Sequence, residues 1–327
     1  MKKLWITGII CALAVSMAGC GESKTANTDS SLNEEPVVQE QSTAAEATAD
    51  SEVKEENTQE TVESTDIAAS AGDLYEAFKN GDAKVKYTGN GDRTSYLDTK
   101  SALKAGESYT ISEILSALEA ASENKASSDV KYTDIDCGED GVKELLAEAQ
   151  FGEEFTLYMI IKQIDDELVM CFDQDGWSRS YVTVNADGTI ESGGSSGAAV
   201  HSVDYAFVDQ NGDYKFYYGV EETLTLYGDF YAYKNGTDYV TISTEGLDID
   251  HLGVRDYYFD ADYENRSHYY SYFVIDDSFE DVTTDSDYDD SNELKKRFTE
   301  AGIETYTKAE MEQMVKDRAS EIGYKQQ

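Results

Sequence analysis

The residues able to do chemistry come in few kinds. Gly193-Gly194-Ser195-Ser196-Gly197 fits G-x-S-x-G, and His201 follows it. A nucleophilic serine of that type sits on a sharp turn between a strand and a helix. Residues 198–208 read as a strand instead, so the segment is expected to be a flexible Gly/Ser loop between strands. His251 and His268 lack metal-ligand spacing and are expected in surface or loop positions. The chain has no HExxH, phosphate-loop or Cys-x-x-Cys motif. No residue is assigned a catalytic role. Carboxylates are abundant, with 67 Asp and Glu against 26 Lys and Arg. Surface acids usually only solvate a fold.

Two acidic segments have spacing that calls for comment. Asp285-Ser286-Asp287-Tyr288-Asp289 has the Asp-x-Asp-x-Asp start of an EF-hand loop. The loop's glycine position holds Asp290, and its twelfth position holds Lys296 where a carboxylate is needed. A solvated acidic loop leading into a helix is expected, with Ca²⁺ on Asp285, Asp287 and Asp289 as the alternative. Asp136-Cys-Gly-Glu-Asp140-Gly141-Val-Lys-Glu144-Leu145 resembles the D-x-[DN]-x-D-G-x-x-[DE]-L turn of FG-GAP/VCBS-type repeats. The resemblance implies Ca²⁺ held by Asp136, Asp140 and Glu144, with Gly141 making the tight turn. Gly138 stands where that family carries Asp or Asn. The match covers ten residues and implies no whole propeller. The alternative is an acidic hairpin turn with Leu145 in the core.

Such residues need elements to position them. Asp73 and Glu76 are spaced as a capping box before Ala77 and Phe78, with a stop at Asn80-Gly81. Thr110 and Glu113 make a second box, with Tyr109 and Ile114 placed as its staple. From Val130 onward the period changes to two. Phe155, Leu157, Met159 and Ile161 alternate with more polar residues, and Asp165-Asp166 turns the chain into Leu168–Phe172. Asp187-Gly188, Asn211-Gly212 and Asn235-Gly236 separate further alternating runs. Such pairs accept the positive φ of tight hairpin turns. Asp290 with Glu293, then Thr307 with Glu310, open two closing helices, and Gly302 and Gly323 end them. The expected class is α+β: an antiparallel β-meander flanked by short N-terminal helices and by C-terminal helices. Its expected spans are helical over 71–125, β-rich over 128–276 and helical over 290–324.

The N-terminus carries an address. Lys2 and Lys3 precede the apolar run Leu4–Val15, which is short for a membrane span, and Met17-Ala18-Gly19-Cys20 follows. The last four residues resemble the bacterial lipobox, with Met17 where the family usually has Leu. The resemblance implies removal of residues 1–19 and lipidation of Cys20. Several acyl chains at about 0.8 kcal/mol per buried CH₂ anchor firmly. Residues 21–70 hold 13 acids, two Lys and no aromatic residue. They cannot bury enough apolar surface to offset chain entropy, so residues 20–70 are expected to be the lipidated Cys and a disordered acidic linker. Residues 71–327 form the globular part. Export makes a disulfide between Cys137 and Cys171 permissible, worth about 3–4 kcal/mol. Two buried thiols are the alternative.

As a whole the chain resembles bacterial cell-surface lipoproteins, a likeness that implies location at the cell membrane's extracytoplasmic face and brings no activity with it. The expected function is a non-enzymatic binding or accessory module of the cell envelope, with an envelope glycan or protein as partner. The alternatives are a calcium-stabilised structural or adhesion module and a carboxylate-dependent surface hydrolase. The Tyr-rich stretch 205–273 offers rings for sugar or peptide stacking. Nucleic acid is excluded as a partner, because a formal charge of −41 leaves no basic footprint. Of that charge, −32 falls on residues 71–327. Self-repulsion of this size predicts a melting temperature that rises with ionic strength or divalent cations. A thermal melt repeated from low salt to about 0.5 M NaCl checks it, since screening is then nearly complete at contact range. A flat or falling series contradicts it.

Overall fold

The computed structural model describes residues 71–90 and 96–324. The expected signal segment, Cys20 and the expected linker to residue 70 lie outside the described residues. Among the described residues no helix is long and apolar enough to cross a membrane.

The chain starts with α1 (Ala71–Lys79), β1 (Val85–Tyr87), α2 (Thr99–Ala102), β2 (Ser108–Tyr109) and α3 (Ile111–Ser122). Thr110 caps α3 with the full reciprocal box to Glu113. α1 begins earlier than its box predicts, so Asp73 lies in the first turn and not at the cap. The expected helical segment therefore also holds two short strands. Neither is long enough to show a period, and both exist because a sheet edge accepts them. β1 pairs parallel with a strand more than 80 residues away, Val85 opposite Leu168, which departs from the all-antiparallel expectation.

The first sheet is completed by β3 (Lys131–Ile135), β4 (Glu144–Phe151), β5 (Phe155–Ile164) and β6 (Glu167–Gly176). Its order is β2-β1-β6-β5-β4-β3. The two-residue period sorts its side chains. Leu145, Ala147, Leu157, Met159 and Met170 face the helices and pack on Phe78, Ile114 and Leu118. Leu146, Ile160 and Phe172 face the other way and meet a second sheet.

That sheet contains β7 (Ser180–Val184), β8 (Thr189–Ser195), β9 (Val200–Val208), β10 (Tyr214–Thr223), β13 (Leu252–Tyr258) and β14 (Tyr269–Val274), in the order β14-β13-β10-β9-β8-β7. The hairpin β11 (Phe230–Asn235) and β12 (Asp238–Ile242) is inserted between β10 and β13 as a separate ribbon. The single expected meander is thus two sheets and a ribbon. On the inner face, Val182, Ile190, Ala206 and Phe216 pack against the first sheet. Further along that face, Val254, Tyr270 and Tyr272 are covered by the hairpin and by α4 (Glu293–Glu300), through Ala232, Ile242, Leu294 and Phe298. α5 (Lys308–Ile322) lies on the outer face, where Tyr217 donates to the Val315 carbonyl at 3.1 Å. Thr307 caps α5 with its predicted box, and Gly323 ends it at φ 75°. α4 is capped by Asn292, which accepts from the Leu294 and Lys295 amides. Asp290, the expected cap, instead pairs with Lys295 at 2.9 Å. The class is α+β with a predominance of antiparallel strands.

Candidate functional site

One face of the second sheet changes character between its two apolar clusters. Tyr258 belongs to the cluster between the sheets, and Val254 to the cluster under the hairpin. Between them on the same strand face lies Asp256. Strand pairing places Glu221 of β10 directly opposite Asp256 of β13, and Tyr270 of β14 on its other side. Facing residues on one antiparallel face have Cβ atoms about 4.5–5.5 Å apart, and like charges so placed repel. The fold has therefore set two carboxylates side by side.

Their surroundings differ. Asp256 is 8% exposed, whereas the Glu221 side chain reaches the surface. Asp256 Oδ2 accepts from His268 Nδ1 at 2.7 Å and from the Tyr270 hydroxyl at 3.4 Å. Its other oxygen, Oδ1, is buried and has no hydrogen-bond partner. His268 is held between the rings of Tyr233 and Tyr270, with centroids 5.0 and 6.4 Å away. It lies in the loop before β14, as one of the two expected placements had it, but its side chain is fully buried and not at the surface. Burial pushes the Asp256 carboxyl above the usual range, against the pull of His268 and Arg266. Partial burial, then the Asp256 charge, push Glu221 up as well. Glu221 is accessible to water although neighbouring side chains crowd its carboxyl.

Arg266 acts on both carboxylates through its charge. Its guanidinium lies 3.8 Å from the Tyr258 ring centroid and 4.7 Å from that of Tyr263. The stacking is a cation–π contact on two sides. The Tyr258 hydroxyl donates to Asp204 Oδ1 at 2.7 Å. Gly219, opposite both Asp204 and Tyr258 in the sheet, leaves the space that this pair fills, because a Cβ there would overlap them.

The aromatic rings continue outward along the hairpin. Tyr233 is half-buried over His268, and its hydroxyl is pushed up to about 12, first by the neighbouring Tyr263 hydroxyl and then by burial. Tyr239 lies 6.3 Å from Tyr233, and Tyr231 lies 5.6 Å from Tyr239, both edge-on. Tyr231 and Tyr239 are 58% and 60% exposed, and Tyr263 is half exposed. The Tyr233 amide donates to the Tyr270 hydroxyl at 2.7 Å, and the Gly236 amide donates to the Arg266 carbonyl at 3.0 Å. These two bonds fix the hairpin to the sheet and to the 262–266 turn. The outcome is a strip of rings that runs from solvent to a pair of carboxylates.

The residues singled out by spacing lie elsewhere. Asp136 Oδ1 accepts from the Gly141 amide at 3.1 Å, and Asp140 Oδ1 from the Val142 amide at 2.8 Å. Glu144 turns into the core, where it accepts from the Cys137 amide at 2.6 Å and from Lys162 Nζ. The three carboxylates are thus not brought together. Asp287 accepts from the Thr284 amide and hydroxyl, both at 2.8 Å, so it caps the 3₁₀ turn Asp285–Tyr288. Asp289 follows at the end of that turn. Among the described residues no group of three His, Cys, Asp or Glu is placed to hold a metal ion.

Cys137 and Cys171 are free buried thiols, so the permitted disulfide is not formed. Each packs beneath a different hairpin turn, Cys137 under Gly188 and Cys171 under Gly212. Burial pushes both thiols up, Cys171 to about 12. Ser195 is the last residue of β8 and pairs with His201 across a β8–β9 hairpin. Gly193 and Gly194 are also within β8, so the expected loop shrinks to the turn after Ser195. Gly193 is required there because a Cβ would meet the Ser202 carbonyl and the Tyr181 ring.

Motif reading missed Glu221, Asp256 and His268. One signal for Asp256 was available: counting by two from Val254 to Tyr258 puts an acid on an inward position. The chain matches no protein-family model, no curated protein and no solved structure.

Proposed function

We propose that the chain is a lipid-anchored, extracytoplasmic binding module of the cell envelope, and that its ligand is an envelope glycan. The carrying observation is the strip of rings Tyr231, Tyr239, Tyr233 and Tyr263 leading to the accessible Glu221 carboxylate. Sugar rings present flat C–H faces that stack on aromatic side chains, and hydroxyls that donate to carboxylates. A tyrosine strip with a carboxylate at its end offers both. The lipobox at Cys20 and the acidic linker would hold this surface clear of the membrane.

Binding fits the site better than hydrolysis does. Glycosidases generally use two carboxylates that both reach the scissile bond. Here Asp256 Oδ2 is engaged by His268 and Tyr270, and Oδ1 is out of solvent contact. Only Glu221 is open to a ligand.

The experiment is calorimetric titration of the whole chain with oligosaccharides cut from cell-wall polysaccharide. Binding is expected, and replacing both Tyr231 and Tyr239 by Ala is expected to weaken it about tenfold or more, since each stacking contact contributes roughly 0.5–1.5 kcal/mol. Both side chains are exposed, so the melting temperature should barely move. Absence of binding by the unaltered chain would overturn the reading.

A further inference from the structure

The carboxylate end of the strip says more about the ligand. We propose that Glu221, backed by Asp256, is a subsite for the ammonium group of an aminosugar, so that the preferred glycan carries free amines. This inference rests on the glycan reading above and specifies it.

Asp256 has two oxygens with opposite fates. His268 and Tyr270 occupy Oδ2 from the β14 side. Oδ1 has no hydrogen-bond partner, and Glu221 of β10 is the residue facing Asp256 across the sheet. An ionised carboxylate only accepts hydrogen bonds, so Glu221, at the surface beside a second acid, offers a place to a donor from a ligand. An acceptor buried without a donor is costly, and a charged donor nearby relieves most. A hydroxyl brings one proton to such a place. An ammonium brings three and a positive charge.

The surroundings suit a cation. Arg266 forms no ion pair among the described residues and stays stacked on Tyr258 and Tyr263. Its charge and that of His268 offset part of the negative potential at Glu221, but neither forms an ion pair with it among the described residues, and the stacking shows that these rings accept a cation. Burial pushes both carboxyls above their usual range, and at Glu221 the neighbouring Asp256 charge adds to it. At longer range, the −32 charge of residues 71–327 draws cationic ligands and repels anionic ones. N-acetylation removes the amine's charge and adds bulk at the same atom, so acetylated and deacetylated forms of one sugar separate the two contributions.

The test titrates the whole chain with a glucosamine tetrasaccharide and with its fully N-acetylated counterpart. The deacetylated form is expected to bind at least tenfold more tightly. Glu221→Gln should bring the two affinities within about twofold, chiefly by weakening the deacetylated form. This variant removes a cross-strand repulsion, so it should fold at least as stably, which a thermal melt checks. Equal affinities in the unaltered chain overturn the ammonium subsite and leave the glycan reading standing. A preference that survives Glu221→Gln also overturns it, because the discrimination would then come from the overall charge. Failure of both oligosaccharides to bind, together with all other wall fragments, overturns the glycan reading and the subsite with it.

Discussion

Lys162→Met lowers the free energy of unfolding by about 3–5 kcal/mol, the range for breaking one side of a buried ion pair. Lys162 is 7% exposed and its partner Glu144 is fully buried. The pair lies one step beyond the Leu145–Ile161 contact of β4 and β5, on the face that meets the second sheet. Glu144 also accepts from the Cys137 amide, so its carboxylate ties the acidic 136–141 turn to the core. Removing only the ammonium leaves a buried charge with one amide donor. Replacing both partners, Lys162→Met with Glu144→Leu, should recover a large part of the loss, because the desolvation of both charges is then avoided. Urea unfolding of the single and double variants measures this. A single variant within about 1 kcal/mol of the parent, the size of an exposed pair, would show that the two charges are not buried together.

Phe298→Ala is expected to cost about as much, roughly 3–5 kcal/mol, as a large buried ring does when removed. Phe298 is fully buried on α4. Its ring lies 6.0 Å from Phe230 of the hairpin, 6.0 Å from Tyr270 and 6.1 Å from Tyr272 of the sheet. One side chain thus holds three elements together: α4, the β11–β12 ribbon and β14. A two-stranded ribbon is marginal by itself, so its order depends on that packing. The variant should therefore show two effects. Global stability falls in urea unfolding, and the hairpin amides exchange with solvent faster than those of the first sheet. Weaker glycan binding follows, because Tyr231, Tyr233 and Tyr239 are all on the ribbon. The contrast is with the exposed pair Tyr231 and Tyr239, whose loss weakens binding without affecting stability. A Phe298→Ala variant with parental stability, or with unchanged hairpin exchange, would separate the ribbon from this core.

Much of the scaffold was legible because its causes are local. Thr110 with Glu113 and Thr307 with Glu310 satisfy free helix amides within one turn, and both boxes form as spaced. Asp187-Gly188 and Asn211-Gly212 need only their own backbone to turn the chain, and both glycines take positive φ. Alternation in 155–161 sorts those side chains to two faces, as strand geometry demands. Errors arose where a neighbour in space overruled a local preference. Asp290 is as good a cap as Asn292 by type, but Lys295 engages it. Gly193 looks like loop composition, yet it lies in β8 because Tyr181 and Ser202 occupy the space of a side chain.

The candidate site was the least legible part. Glu221 and Asp256 are separated by a hairpin and a loop in sequence, and no spacing rule relates them. Only the β10–β13 register makes them neighbours, and a one-residue slip of either strand would send its acid to the outer face and part them. His268 became a buried partner only because the ribbon folds back and lays Tyr233 over it. Turn chemistry, helix caps, side-chain alternation and the acidic balance are properties of a few consecutive residues or of simple counting. The amino-acid sequence by itself therefore determined most of the element types and the α+β class. Which carboxylates face each other, which tyrosines reach water and whether two thiols share a bond depend on strand register and layer packing. Those are set by contacts between residues far apart along the chain, so only the tertiary structure decided them.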